Sequence, residues 1–400
     1  MRIGLSTSVI QRGRTGIAQY VFALTREFLA HTGAHRFVLF VLEEDLPLFH
    51  SAENAMQLVP VPEHFRPPAQ NIFWHQTQLP KLARQYRLDV LHVPSYRRML
   101  WPRPCALVAT IHDLAPFRVA KKYDCRRMFY GRVVARWLAR RQHRIVAISQ
   151  NTAHDIKTFW RLPAERLTVI HNGVDHERYF PAPRESVRPA ALQRLGLEEP
   201  FFLYLARLEH PGKNHVRLIT AFNQFKAETK SRWQLVLGGS DWHGAEAIHA
   251  AIEQSPFASD IRSLGFVADP DLPALYRAAE VFVYPSLYEG FGLPPVEAMA
   301  CGCPVLSSTR GALGEVVGDA AATVDPEDVP ALSRQLMRLA ADGSLREFLR
   351  VAGLSQAKRF DWSRAAAMTL EVYAQAAAQV KSSLSRFSMA RKRVGTERAF

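Results

Sequence analysis

Cysteine is scarce in this chain of 400 residues, with only Cys105, Cys125, Cys301 and Cys303. That excludes a disulfide scaffold and makes a reducing compartment the default. Cys301 and Cys303 are separated by one residue with no second cysteine pair nearby, a poor zinc clip. Glycine (21) and proline (25) are too few and too scattered for a fibrous or low-complexity protein. No uninterrupted apolar run reaches the roughly 18 residues of a bilayer-spanning helix. The opening MRIGLSTSVI lacks the long apolar core of a signal peptide and reads as a first strand. Walker A, His-Glu-x-x-His and Gly-x-Ser-x-Gly sequences are missing, which removes support for NTP hydrolysis, zinc proteolysis and ordinary serine hydrolysis.

Hydrophobic residues make up 48% and charged residues 22%, values of a globular chain with a full core. The length suits two domains of roughly 150–200 residues each. The net charge of +14 is unevenly placed. Residues 1–180 hold 26 basic and 13 acidic side chains, and the remainder hold 25 and 24. The densest basic stretch is 118–144, where Arg118, Lys121, Lys122, Arg126, Arg127, Arg132, Arg136, Arg140, Arg141 and Arg144 face one acid, Asp124. Met128, Phe129, Val133, Val134, Trp137 and Leu138 recur there at three-to-four spacing, which predicts an amphipathic helix with a basic face. Such a helix suits either a solvated surface or anionic lipid headgroups. Nucleic acid fits less well, because interleaved stacking aromatics and a recognisable binding motif are absent.

Short apolar runs alternate with helical patterns throughout. Strands are expected at 2–9, 36–42, 89–93, 106–111 and 144–148, then at 201–208, 233–237, 261–266, 281–285, 304–307 and 322–324. Helices are expected at 17–30, 71–86, 149–160, 216–226, 271–278 and 330–339. Strands apolar on both faces and alternating with helices imply an α/β protein of two doubly wound parallel sheets. A Pro- and charge-rich break near 176–199 separates a first domain (1–180) from a second (181–360). A last helix is expected over 361–381, followed by a flexible basic tail at 382–400. Ligands of such sheets bind outside the carboxyl ends of the strands, here in a cleft between two facing domains.

Several segments carry chemistry at those ends. A strand finishing near Tyr284 is followed by Glu289-Gly290-Phe291-Gly292 and a helix starting near Leu293 with prolines in its first turn. The amides of Gly292 and Leu293 at that helix start, reinforced by its dipole, make an anion site suited to a diphosphate. Glu289 and Glu297 flank it and can accept sugar hydroxyls. Arg207 and Lys213 follow another strand and can neutralise a leaving diphosphate. His112 ends a strand of the first domain, and Gly16 lies in the turn after the first strand, where Gly13-Arg14-Thr15-Gly16 does not match a dinucleotide fingerprint. His171-Asn-Gly-Val-Asp175 reads as a structural turn.

On these residues the chain resembles the retaining glycosyltransferases of family 4, with the GT-B fold. EGFGLPPVEAMACGCPV is similar to that family's E-x7-E signature, with Glu289 and Glu297 in register. TGIAQY, TIHDLAP, AISQ, VIHNGVD, LARLEHPGKN, LGFV, VFVYPS and Phe360-Asp361-Trp362 follow in the expected order. Bacterial mannosyltransferase-like enzymes of O-antigen and exopolysaccharide synthesis are the nearest in flavour. The resemblance implies a nucleoside-diphosphate sugar donor, GDP-mannose favoured, held by the second domain without a metal or other cofactor. Arg207 and Lys213 would hold its phosphates with the Gly290–Leu293 backbone, Glu297 its ribose and Glu289 its sugar. Phe266 and Val267 would border the base. His112 would reach the donor sugar, Gly16 the phosphates or the acceptor, and the last helix would return to the first domain. The acceptor would be a glycan or lipid-linked glycan at the cytoplasmic face of an anionic membrane, with nucleic acid excluded. The alternatives are a non-catalytic sugar-nucleotide sensor, a GT-B epimerase, or a phosphorylase that would need pyridoxal phosphate.

Overall fold

In the computed structural model the described residues are 1–13, 15–119, 128–182, 193, 196–197 and 200–396. Contacts divide the chain into two units. The first comprises Met1–Leu114, Tyr123–His171 and Trp362–Phe400, and the second Ala115–Lys122 and Asn172–Asp361. Most of the charged break at 176–199 lies outside the described residues.

The first unit is built on β1 (Arg2–Ser6), β2 (Arg36–Leu42), β3 (Gln57–Val61), β4 (Val90–Val93), β5 (Ala106–Ile111), β6 (Arg144–Ala147) and β7 (Leu167–Val169). These form one parallel sheet in the order β3-β2-β1-β4-β5-β6-β7. The second unit contains β8 (Phe201–Leu205), β9 (Gln234–Gly238), β10 (Ile261–Ser263), β11 (Val281–Tyr284), β12 (Val305–Ser308) and β13 (Ala322–Val324). They are also parallel, in the order β10-β9-β8-β11-β12-β13. Strand order reverses between β1 and β4 in one sheet and between β8 and β11 in the other. Those reversals open a crevice at the strand carboxyl ends. The middle strands β4, β5, β8 and β11 are buried at every residue, as parallel strands covered on both faces must be.

The edges depart from the sequence expectation. β3 and β7 were not anticipated. β3 contains Pro60, which an edge strand tolerates because one side of its ladder is unused. β10 stops at Ser263 rather than 266, ahead of Gly265 with φ +62°. The helix expected over 71–86 is two, Pro68–Thr77 and Leu79–Gln85, broken where Pro80 enters the second helix's first turn. Helices Ala245–Glu253 and Gly343–Ala357 are additional.

The last helix runs over Trp362–Thr396 rather than ending near 381. Residues 382–394 contain neither proline nor glycine, so nothing in that stretch stops it. Its Trp362, Ala366, Leu370, Tyr373 and Ala377 join the first unit's core with Tyr20, Leu24 and Phe28 of helix Gly16–Leu29.

Candidate functional site

The reversal between β8 and β11 gathers a cluster of polar side chains in the second unit. Lys213 follows β8 and Glu289 follows β11, and Lys213 Nζ meets Glu289 Oε1 at 2.6 Å. The same oxygen accepts from Tyr284 OH (3.0 Å) and Ser286 Oγ (2.7 Å). Lys213 Nζ also donates to the Tyr284 hydroxyl oxygen at 3.2 Å. Both side chains of the pair are largely covered, 17% and 16% exposed. Burial works against the Lys213 charge, but the Glu289 carboxylate and its hydrogen bond outweigh it and hold the ammonium above the ordinary lysine range. Burial raises the Tyr284 and Tyr204 phenols well above theirs, and nearby negative charge adds to it, so both are hydrogen-bond donors.

The two loops are tied by backbone. Leu287 N–H and Ser286 Oγ both donate to the Gly212 carbonyl (3.0 and 3.2 Å). Asn214 Nδ2 donates to the Pro285 carbonyl at 3.0 Å, and the Ala312 amide to that of Glu289 at 2.9 Å. Gly311 packs so closely that a Cβ would lie 2.6 Å from the Glu289 carbonyl oxygen. The Glu289 loop is therefore braced from both sides.

Gly290 and Phe291 are buried, and the Phe291 ring meets Phe360 edge-on at 5.4 Å. Gly292 caps helix Leu293–Ala300 at φ +100° without a side-chain cap. A Cβ there would sit 2.5 Å from Leu313 Cδ2, so that side chain would have to shift, and the positive φ itself favours glycine. Pro294 and Pro295 remove two first-turn donors, leaving the Gly292 and Leu293 amides as those that can face an anion.

Glu297 lies in a separate setting one turn into that helix. Tyr276 OH donates to its Oε2 at 2.9 Å. Burial raises its carboxyl to about 7, partly opposed by the Tyr276 and Tyr179 hydrogen bonds and by Arg178. Arg207 is exposed, 3.8 Å from Glu209 and with its guanidinium 4.6 Å from the Trp242 ring centre. Phe266 is 71% exposed and Val267 partly covered. An Asp-x-Asp pair is present as Asp269-Pro-Asp271, with Asp269 3.7 Å from Arg178. Among the described residues no group of three or more His, Cys, Asp or Glu side chains is arranged to hold a metal.

In the first unit, Gly16 is exposed, with open space where a Cβ would point, and starts a helix capped by Thr15. His112 follows β5 and packs edge-on against Tyr20, with ring centres 4.9 Å apart. One ring nitrogen donates to the Pro94 carbonyl, and Nε2 has no partner among the described residues. Burial lowers its pKa to about 4, so at neutral pH Nε2 presents a lone pair that can accept a hydroxyl. Tyr20 is held in turn. Its OH is 2.9 Å from Thr110 Oγ1, which is 2.8 Å from His92 Nε2, and His92 Nδ1 is 2.7 Å from Tyr373 OH.

The structure thus joins Lys213 to Glu289, and leaves Arg207, Glu297 and Phe266 outside that immediate cluster. Tyr276 and His92 were not singled out from the sequence. Tyr284 and Ser286 lie in VFVYPS and Tyr20 ends TGIAQY, but the motifs gave none of the three a role.

Comparison with known proteins bears on family and fold. The family model "Glycosyltransferase Family 4" matches residues 14–178, and "Glycosyl transferases group 1" matches 190–355. O-antigen chain mannosyltransferase B of Escherichia coli is 31% identical over 93% of this chain and 99% of its own length. Serotype-specific mannosyltransferase WbdA of the same species is 32% identical over 67% of this chain, which spans 33% of that longer protein. Anabaena Alr3699/HepE, solved in complex with UDP and glucose, superposes with a TM-score of 0.73 at 20% identity, covering 96% of this chain and all of that one. Two parallel doubly wound sheets in this strand order, and a relative matched nearly end to end, place the chain in glycosyltransferase family 4, with the GT-B fold.

Proposed function

We propose that the protein is a retaining hexosyltransferase that moves mannose from GDP-mannose to a growing glycan on a lipid-linked acceptor in cell-surface polysaccharide synthesis. The observation that carries this reading is the covered Lys213–Glu289 pair beside the Gly292 helix start, at the strand reversal of the second sheet. The mannosyltransferase names of the relatives supply the sugar.

In this reading the donor's C1–O bond to the diphosphate breaks as a bond from C1 to the acceptor oxygen forms on the same face. The acceptor proton passes to the departing phosphate oxygen. Lys213, Arg207 and the Gly292 and Leu293 amides stabilise the negative charge that grows there, without a divalent cation. Glu289 orients the hexose and Glu297 the ribose hydroxyls. The neutral His112 Nε2 accepts from a sugar hydroxyl.

The test is release of nucleoside diphosphate from GDP-, UDP- and ADP-hexoses, with and without acceptor and with EDTA. Acceptor-dependent GDP release that survives EDTA is expected, with an α-linked product from an α-linked donor. Binding without turnover would instead mark a sensor, and loss of activity in EDTA would remove the metal-free scheme.

A further inference from the structure

A long cationic side chain at a protein surface samples many rotamers unless something holds it. A carboxylate can hold it, but neutralises its charge and takes up its N–H donors. Lys213 is held in that way, by Glu289 at 2.6 Å. Arg207 is held differently. Its guanidinium donates no hydrogen bond among the described residues, and the Glu209 carboxylate, 3.8 Å away, is beyond hydrogen-bond reach. The guanidinium carbon lies instead 4.6 Å from the centre of the Trp242 ring.

The backbone fixes this meeting. Past the ends of β8 and β9 the two chain segments continue side by side. The Leu208 amide donates to the Ser240 carbonyl at 3.0 Å, the Trp242 amide to the Leu208 carbonyl at 3.1 Å, and the His210 amide to the His243 carbonyl at 3.0 Å. Leu208 and Asp241 form a parallel bridge. Leu208 is buried, so alternation turns Arg207 to the opposite side. Gly239 permits the close approach, since a Cβ there would lie 1.9 Å from the Ala206 carbonyl oxygen. Trp242 is 53% exposed, so its ring adds little to the core, yet its backbone is tied to the residue that follows Arg207.

We propose that Trp242 is a positioning residue for the donor's diphosphate: its indole holds the Arg207 guanidinium in place while the N–H groups of that side chain stay free for phosphate oxygens. A ring face attracts a cation through its quadrupole and leaves the in-plane donors unspent. The planar fork keeps both its charge and its donor set, which suits bidentate recognition of phosphate. Lys213 and Arg207 then divide the work. The first is pre-neutralised by Glu289, and the second meets the ligand with its full charge. The proposal rests on the reading of Arg207 as a phosphate ligand, and adds what readies that residue before the donor arrives. An exposed indole can also stack on a nucleobase, and the experiment separates that use from this one.

The experiment is calorimetric titration of the full chain with GDP and with UDP, at low ionic strength so that weakened complexes remain measurable. The variants are Trp242→Leu, Trp242→Phe, Arg207→Gln, and Trp242→Leu combined with Arg207→Gln. Both side chains are exposed, so melting temperatures should match that of the wild type. Arg207→Gln should weaken binding of the preferred nucleotide about tenfold or more. Trp242→Leu should weaken it about two- to fivefold, the worth of an exposed cation–π contact, and Trp242→Phe should restore most of that loss. With Arg207→Gln already present, Trp242→Leu should cost nothing further. Additive losses would overturn the proposal, because a ring that contacts the nucleobase acts whether or not Arg207 is there. So would Trp242→Leu binding like the wild type, or Trp242→Phe binding no better than Trp242→Leu. Those three results leave the donor reading standing. A wild type that binds neither nucleotide, or Arg207→Gln binding as the wild type does, would overturn the phosphate role of Arg207 and the proposal together.

Discussion

Beyond β8 and β11 the second unit buries an ion pair, Lys213 with Glu289, under two phenols that donate hydrogen bonds. In β4 and just after β5 the first unit covers imidazoles, His92 and His112, whose pKa values burial lowers to about 3 and about 4. One strand-end cluster is charged and the other is neutral at physiological pH. Bulk composition points the opposite way, since the first 180 residues carry most of the net charge. The excess is on the faces, as at Arg132 and Arg140, while each interior is set by local pairing. A charged cluster suits an anion such as phosphate, and a neutral imidazole suits a hydroxyl.

Paired substitutions test that contrast most strongly. Lys213→Ala removes the covered cation and should lower kcat by about 10²–10³-fold, the usual scale for losing one electrostatic stabiliser. His112→Ala removes a neutral acceptor and should cost about tenfold, nearer the worth of a single uncharged hydrogen bond. Equal losses in single-turnover assays would erase the distinction.

Next in size is Gly292→Ala, which forces a side chain into φ +100° against Leu313. Denaturant unfolding should show a loss of about 2–3 kcal/mol, and donor affinity should fall with it as the helix start shifts.

Acid should separate the units. His75, His92, His112 and His143 are held neutral by burial at about 3, 3, 4 and 4. Their depressed values contribute stability that is present above the unfolded value near 6.5 and lost as pH falls toward 4. Glu297 works in the other direction. With its carboxyl raised to about 7, its contribution is complete below about 4.5 and fades as pH rises to 7. In the second unit His215, lowered to about 3, opposes Glu297. Hydrogen exchange between pH 7 and 5 should therefore show β4–β6 losing more protection than β8 and β11. Glu297→Gln should narrow that gap. Donor binding should weaken below about pH 7 in the wild type, as Glu297 loses the charge that receives hydroxyls, and should lose that dependence in Glu297→Gln.

Smallest is Tyr373→Phe, which deletes the hydroxyl 2.7 Å from His92 Nδ1. About 1 kcal/mol of stability should disappear in thermal unfolding, while kcat changes little unless the chain through Thr110 and Tyr20 orients His112.

What could be read from the sequence follows from what is local. The middle strands were legible because burial on both faces leaves an unbroken apolar run, as in ALVATI of β5 and FFLYL of β8. β3 and β7 are edge strands with mixed burial and carry no such run. Glu289, Glu297 and Lys213 stood out because their neighbours form dense motifs. Their partners did not, because a hydrogen bond from Tyr276 to Glu297 or from Tyr373 to His92 spans 21 or 281 residues and leaves no periodic trace. Of the basic stretch, Lys121, Lys122, Asp124, Arg126 and Arg127 lie outside the described residues. At 128–144 the helical spacing was legible, but which side packs inward was not. Gly131, Ala135 and Ala139, also four apart, were the signal of the inward side.

The helix Trp362–Thr396 belongs to the first unit although the whole second unit precedes it in the chain. During synthesis, then, the earlier-made lobe must wait with part of its interior uncovered until the helix that begins at Trp362 leaves the ribosome. The later-made lobe, almost continuous in sequence, has all its strands available before that moment. Order of translation and order of completion are reversed, and premature termination before Trp362 would harm chiefly the half that was synthesised first.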